Sequence, residues 1–158
     1  MSEDRVLAAL QTLGLERTVI RHGQVASLAE TARQCRVELR DVIKTMVVRR
    51  GPDDYLFVLI PGDRECNWPK LRKLLGVQRL STPDTQTTLK VTGFTPGTMT
   101  PFGASRPWPV IADAAILGRR VTMGAGAPGV AICLTADTML AALNATAADI
   151  TEPPVPAS

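Results

Sequence analysis

Two long apolar runs facing each other across a turn constrain this chain more than any other feature. Val42–Arg49 is rich in β-branched residues, Tyr55–Ile60 is almost wholly apolar, and Gly51-Pro52-Asp53-Asp54 between them has turn chemistry. The pattern predicts a hairpin whose strands are buried on both faces, which requires layers of structure on either side. Side chains alternate along a strand, so Val42, Lys44, Met46 and Val48 share one face, with a cation among apolar neighbours.

The rest of the chain supplies the covering layers. Ser2, Glu3 and Asp4 suit a helix start, Val6, Leu7, Leu10 and Leu13 follow at helical spacing, and Gly14 closes the helix. Thr18–Ile20 is a short strand candidate. A helix over 27–35 opens on Ser27 with Glu30 as the reciprocal cap, and a brief helical turn over Glu38–Asp41 leads into the hairpin. Asn67-Trp68-Pro69 opens a helix in which Leu71, Leu74 and Leu75 face inward and Lys70, Arg72 and Lys73 outward; Gly76 ends it. Val77–Leu80 reads as a strand, and Ser81–Asp84 starts a helix that Gly93 terminates. Val110–Ala112, Val121–Gly124 and Val130–Leu134 read as strands, the last two bracketing a Gly-rich turn at Gly124–Gly129. Thr135 caps a final helix carrying Met139, Leu140 and Leu143. Strands and helices alternate irregularly, so the expectation is one α/β domain over 1–150 with a mixed sheet flanked by helices, and a disordered Pro-rich tail over 151–158.

Composition narrows the function. No run approaches the roughly 20 apolar residues that span a bilayer, and Glu3 and Asp4 stand where a secretory leader carries positive charge, so a cytosolic protein away from membranes is expected. Cys35, Cys66 and Cys133 are scattered and odd in number, which suits a reducing compartment. With His22 the only histidine, neither a metal site nor a cofactor is expected. Residues 1–80 carry 14 Lys+Arg against 10 Asp+Glu, whereas 81–158 carry 4 against 5. The basic half permits a polyanionic partner without indicating one.

Familiar catalytic signatures are missing: there is no nucleophile elbow, no P-loop and no zinc-protease helix. A thiol or hydroxyl nucleophile would have to use His22, which reads as a turn histidine beside Gly23. Lys44 has two readings: a strand-end cation that discourages edge pairing, or one that holds a phosphate or a developing negative charge. The segment Gly93–Gly103 has three glycines and two prolines in eleven residues. It is either a long connection or a rigid loop presenting backbone N–H groups to an oxyanion. Met99 and Val48 are pocket-wall or core candidates, and the Lys70, Arg72, Lys73 face is a solvated surface or an RNA-backbone contact.

Order and spacing add a resemblance. Val42-Ile43-Lys44-Thr45-Met46-Val47-Val48, Tyr55–Asp63, Lys70–Gly76, Gly93-Phe94, Gly97-x-x-x-Pro101-Phe102-Gly103, Val110–Asp113 and the turn near Gly126 together resemble the YbaK/prolyl-tRNA-synthetase-associated (ProX-type) domain family. The likeness runs from the first helix to Ile150. It implies a compact α/β fold around a mixed, barrel-like sheet. It also implies trans-editing: deacylation of a mischarged tRNA, tRNA-Pro carrying Ala, Cys or another small residue, with prolyl-tRNA synthetase as a further partner and no DNA. The family's lysine falls on Lys44, and its substrate-binding positions fall on Gly97, Thr98, Met99, Thr100, Pro101 and Gly103 of the loop and on Gly126 of the Gly-rich turn. A noncatalytic module that binds charged tRNA or a synthetase is the alternative. Two departures stand out. Thr98 replaces a second glycine in the loop, which bears on substrate choice, and Arg36 replaces a glycine before the lysine strand.

Overall fold

A computed structural model describes residues 2–23 and 27–154. The hairpin forms as its pattern requires: β2 (Ile43–Gly51) pairs antiparallel with β3 (Asp54–Pro61), Lys44 standing opposite Ile60. Asp53 takes a left-handed φ of 53° in the turn, and the register shifts between Arg49 and Gly51. β5 (Val110–Asp113) joins β3 in parallel, and β8 (Thr146–Ala148) joins β5 in parallel, so this sheet is mixed, in the order β2-β3-β5-β8. A second sheet is antiparallel: β1 (Thr18–Arg21), β7 (Val130–Thr135) and β6 (Arg120–Gly124), with β7 central. A two-stranded ladder joins β4 (Glu65–Cys66) to β9 (Thr151–Glu152). One parallel bridge, Val42 to Thr122, ties the two larger sheets together. None of the sheets closes on itself, so the barrel expected from the resemblance is an open pair.

The hairpin is covered on both faces. Ile43, Val47, Phe57 and Leu59 enter the larger core with Val121, Met123, Ile132 and Leu134. Val48, Leu56, Val58 and Ile60 enter a second core with Leu71 and Ile150. Each such aliphatic side chain contributes about 1.5–3 kcal/mol on burial, so the two-faced hairpin is a main source of stability.

Helix α1 (Ser2–Thr12) sends Val6 and Leu10 into the larger core. Helix α2 (Leu28–Cys35) is capped by Ser27, whose hydroxyl accepts the Glu30 N–H, and α3 (Trp68–Leu75) by Asn67, which accepts the Lys70 N–H at 3.0 Å. Helix α4 (Thr85–Thr92) starts on Asp84, and α5 (Ala136–Ala142) follows Thr135.

Several expectations fail for identifiable reasons. Leu74 is 43% exposed, because an eight-residue helix lying on a sheet buries one narrow stripe and Leu71 fills it. Val77–Leu80 forms no strand; only Ser81 bridges to Arg49. Thr135 occupies the cap position of α5 without a side-chain hydrogen bond. Thr151 and Glu152, expected in the tail, form β9; Thr151 is fully buried and its hydroxyl accepts from Arg64 Nε at 2.6 Å. Residues 155–158 of the expected tail lie outside the described residues.

Candidate active site

A cleft of about 530 Å3 lies where the two large sheets meet at the Val42–Thr122 bridge. One wall is the turn Thr95–Thr98, and the opposite wall is the Gly-rich turn after β6. The first turn of α2 contributes Ser27, Leu28 and Thr31, and the start of β2 contributes Val42 and Ile43.

The glycines explain how two turns come so close. Gly97 has φ of +89°, a conformation that favours glycine, and open space surrounds its missing side chain. Behind it the Thr98 N–H closes on the Thr95 carbonyl at 3.2 Å, and the Thr98 hydroxyl donates to the same oxygen at 3.0 Å. The Gly126 N–H then donates to the Thr98 carbonyl at 2.9 Å. A Cβ on Gly124 would lie 3.2 Å from the Thr98 carbonyl carbon and oxygen, so a glycine there lets the walls approach.

Among the described residues the lining has no Lys, Arg, Asp or Glu, and its one histidine, His22, has Nδ1 2.9 Å from the Gly23 carbonyl. Two polar groups of the lining could meet a ligand. One is the N–H of Gly97, on an exposed residue at the mouth; the other is the Thr122 hydroxyl, on a fully buried residue that lines the cleft, unpaired as the Thr45 hydroxyl is elsewhere. A buried polar group without a partner, as the Thr122 hydroxyl is, is rare in native folds. Such a cleft can hold a small group and offer it donors, but it contains no activated nucleophile.

The sequence candidates are only partly brought together. Gly97 and Thr98 line the cleft, along with Thr95 and Pro96. Gly126 pins the loop from outside. Met99 belongs to the larger core and Val48 to the smaller, so neither is a pocket wall. Thr100 is buried with its hydroxyl on the Met123 sulfur at 3.2 Å, and Gly103 packs against the backbone of Arg5 and Val6; these two, like Pro101, are absent from the lining. Lys44 is not brought to the loop either: the lining takes in Val42 and Ile43 and stops short of it. Its ammonium donates to the Arg64 carbonyl and lies near Cys66. Lys70 is held by Asp149 at 3.0 Å, whereas Arg72 and Lys73 have no acceptor among the described residues.

Thr122, Gly124 and α2's first turn were not anticipated. A threonine between Val121 and Met123 is ordinary strand composition, so its unpaired hydroxyl leaves no trace in the pattern. Arg36 proves to be the left-handed C-cap of α2, with φ of 59°, where glycine is the favoured residue.

Among the described residues no cysteine lines the cleft beside His22, as thiol chemistry would need. A larger depression of about 740 Å3 does contain Cys35 and Cys133. It is open, its cations Arg36 and Arg120 share it with Glu38 and Asp41, and burial raises the Cys35 pKa above its ordinary value. Among the described residues no three His, Cys, Asp or Glu side chains gather as metal ligands would.

The family description "aminoacyl-tRNA editing domain" matches residues 22–141, a span that includes every wall of the cleft. The chain belongs to that family. The editing domain is also similar to proline–tRNA ligases, at 33% identity over 101 residues for that of Thermosipho melanesiensis and 36% over 104 for that of Heliobacterium modesticaldum. These matches take in 64% and 65% of this chain but 18% of each ligase, so the chain spans under a fifth of the length of these relatives. A solved structure described as a proposed trans-editing enzyme for prolyl tRNA synthetase superposes with a TM-score of 0.87 at 27% identity, covering 96% of this chain and 97% of that one. No helix among the described residues of the editing domain is long and apolar enough to cross a membrane.

Proposed function

We propose that this editing domain acts in trans as an aminoacyl-tRNA deacylase, removing a small residue such as alanine or cysteine from mischarged tRNA-Pro. The observation that carries the reading is the small cleft walled by Gly97 and Thr98, with no Lys, Arg, Asp or Glu among its described lining and the exposed Gly97 N–H free at its mouth. An aminoacyl ester is already reactive, so positioning and oxyanion stabilisation suffice, and the absence of an activated nucleophile from the lining is no obstacle. Water adds to the ester carbonyl, the Gly97 N–H receives the oxyanion, and the carbon–oxygen bond to the ribose breaks. The ribose oxygen leaves with a proton, releasing the free amino acid. Removing one oxyanion donor costs other acyl-transfer enzymes about 100- to 1,000-fold, which sets the scale for this N–H.

Lys44 supplies the cation in this reading. It follows Ile43 directly on β2, and among the described residues its ammonium spends one of three donors on the Arg64 carbonyl. The other donors are available for a phosphate or ester oxygen of the acceptor end. Prolyl-tRNA synthetase is the proposed source of the mischarged substrate.

The test is a deacylation panel of alanyl-, cysteinyl-, seryl-, threonyl- and 2-aminobutyryl-tRNA, run with the wild type and Lys44→Ala. The expected result is cleavage of the smaller esters by the wild type and at least a hundredfold loss in the variant. Full activity in Lys44→Ala removes the lysine from the mechanism. Tight tRNA binding with no cleavage of any ester replaces the deacylase with a noncatalytic module.

A further inference from the structure

Four arginines converge at the far end of β2. Arg49, Arg50, Arg72 and Arg79 line one depression of about 440 Å3 together with Gln78 and Ser81, and among the described residues no carboxylate lines it. The backbone builds this cluster. The Arg49 N–H donates to the Ser81 carbonyl at 2.7 Å and the Ser81 N–H returns to Arg49 at 3.1 Å, drawing the segment after α3 onto the hairpin. That segment carries Arg79, while α3 itself supplies Arg72. Arg50 is committed to Asp54 through two bonds of 2.9 and 3.1 Å. Arg49, Arg72 and Arg79 have no acceptor among the described residues.

The other depressions differ. Those holding Arg36 and Arg120, Arg17, or Arg64 each include a carboxylate, and the cleft has no Lys or Arg among its described lining. Three arginines held side by side without counter-charges repel one another, and an external polyanion relieves that repulsion. Their planar forks suit phosphate oxygens.

We infer that this arginine depression binds the phosphodiester backbone of the tRNA whose 3′ end enters the cleft. The inference rests on the deacylase reading for the identity of the RNA. β2 runs from Ile43 at the cleft to Arg49 at the depression, about 20 Å at roughly 3.3 Å per residue. A stacked strand advances about 3.4 Å per nucleotide, so the contact falls about six nucleotides inside the terminus, within the paired acceptor stem. The RNA face is therefore centred on Arg49, Arg72 and Arg79 and not on Lys70, whose charge Asp149 already meets.

The test is the salt dependence of binding to uncharged tRNA, which does not require ester cleavage. Each backbone contact contributes about 0.7–0.9 to the slope of log K against log salt. The triple variant R49Q/R72Q/R79Q is expected to lower the slope by about 2 to 3, whereas R49K/R72K/R79K, which keeps the charges, holds it. Thermal melting of both variants separates lost binding from lost folding. A glutamine variant that melts normally and binds with the wild-type slope overturns the inference. Binding that depends on the arginines in a protein that cleaves no ester supports this surface while removing the deacylase reading.

Discussion

The Gly126 N–H donates to the carbonyl of Thr98 at 2.9 Å, and this one bond joins the two turns that face each other across the cleft. Gly124, two residues earlier, lets the backbones approach to this distance.

Gly124→Ala therefore tests whether wall spacing controls activity. The new Cβ would stand 3.2 Å from backbone atoms of Thr98, which cannot swing away as a side-chain tip can. Gly124 lies at the end of β6 outside the positive-φ set, so the backbone accepts alanine. A tenfold or greater fall in kcat/KM is expected, with a small change in Tm, read by deacylation and thermal melting. Such a displacement is enough because loss of alignment in acyl transfer is costly.

Thr122→Val preserves shape and removes the unpaired hydroxyl. Replacing an unsatisfied buried hydroxyl by a methyl group is neutral or stabilising in the free protein. If the hydroxyl bonds the bound aminoacyl group, kcat/KM falls by about tenfold, corresponding to about 1.4 kcal/mol. Equal kcat/KM in the two proteins, measured with alanyl- and cysteinyl-tRNA, would free Thr122 from any role in recognition.

Cys66 supplies a prediction about pH. Burial, reinforced by Glu152 and opposed by Lys44, pushes its thiol up to about 11. At pH 8 its thiolate fraction is about a hundredfold below that of an ordinary cysteine, so alkylation by iodoacetamide should be slower by a similar factor. The sign for stability follows: the folded state holds the thiol proton more tightly, so stability is intact below about pH 9 and declines towards about pH 11. Labelling rates followed by mass spectrometry, with melting across that range, check both statements.

Arg36→Gly should stabilise the domain by about 0.5–1 kcal/mol. A left-handed conformation costs a residue with a side chain about 1–2 kcal/mol, and glycine's greater freedom in the unfolded chain returns about half of that. Chemical denaturation reads the change, and an unchanged midpoint would show that the guanidinium makes compensating contacts.

The hairpin, the helix caps at Ser27 and Asn67, and the left-handed stops at Gly76 and Gly93 were legible because each depends on residues adjacent in the chain. The strands β4, β8 and β9 were not. They are two or three residues long and exist because a partner distant in sequence pairs with them, as Thr151 does with Cys66. The site divided along the same line. Gly97 and Thr98 announce themselves by turn chemistry, whereas Thr122 becomes notable only when β2 and β6 converge and leave its hydroxyl unpaired. Met99 and Val48 were ambiguous for the opposite reason, since an apolar residue beside a loop or lysine reads the same whether it faces a ligand or a core.

The lone bridge between Val42 and Thr122 makes the cleft a property of how two plates are hung. With one backbone bridge between them among the described residues, the width of the mouth depends on the angle at which one sheet leans on the other. Selection for a different amino acid could then proceed through packing changes deep in either core, leaving every residue that touches the substrate as it was.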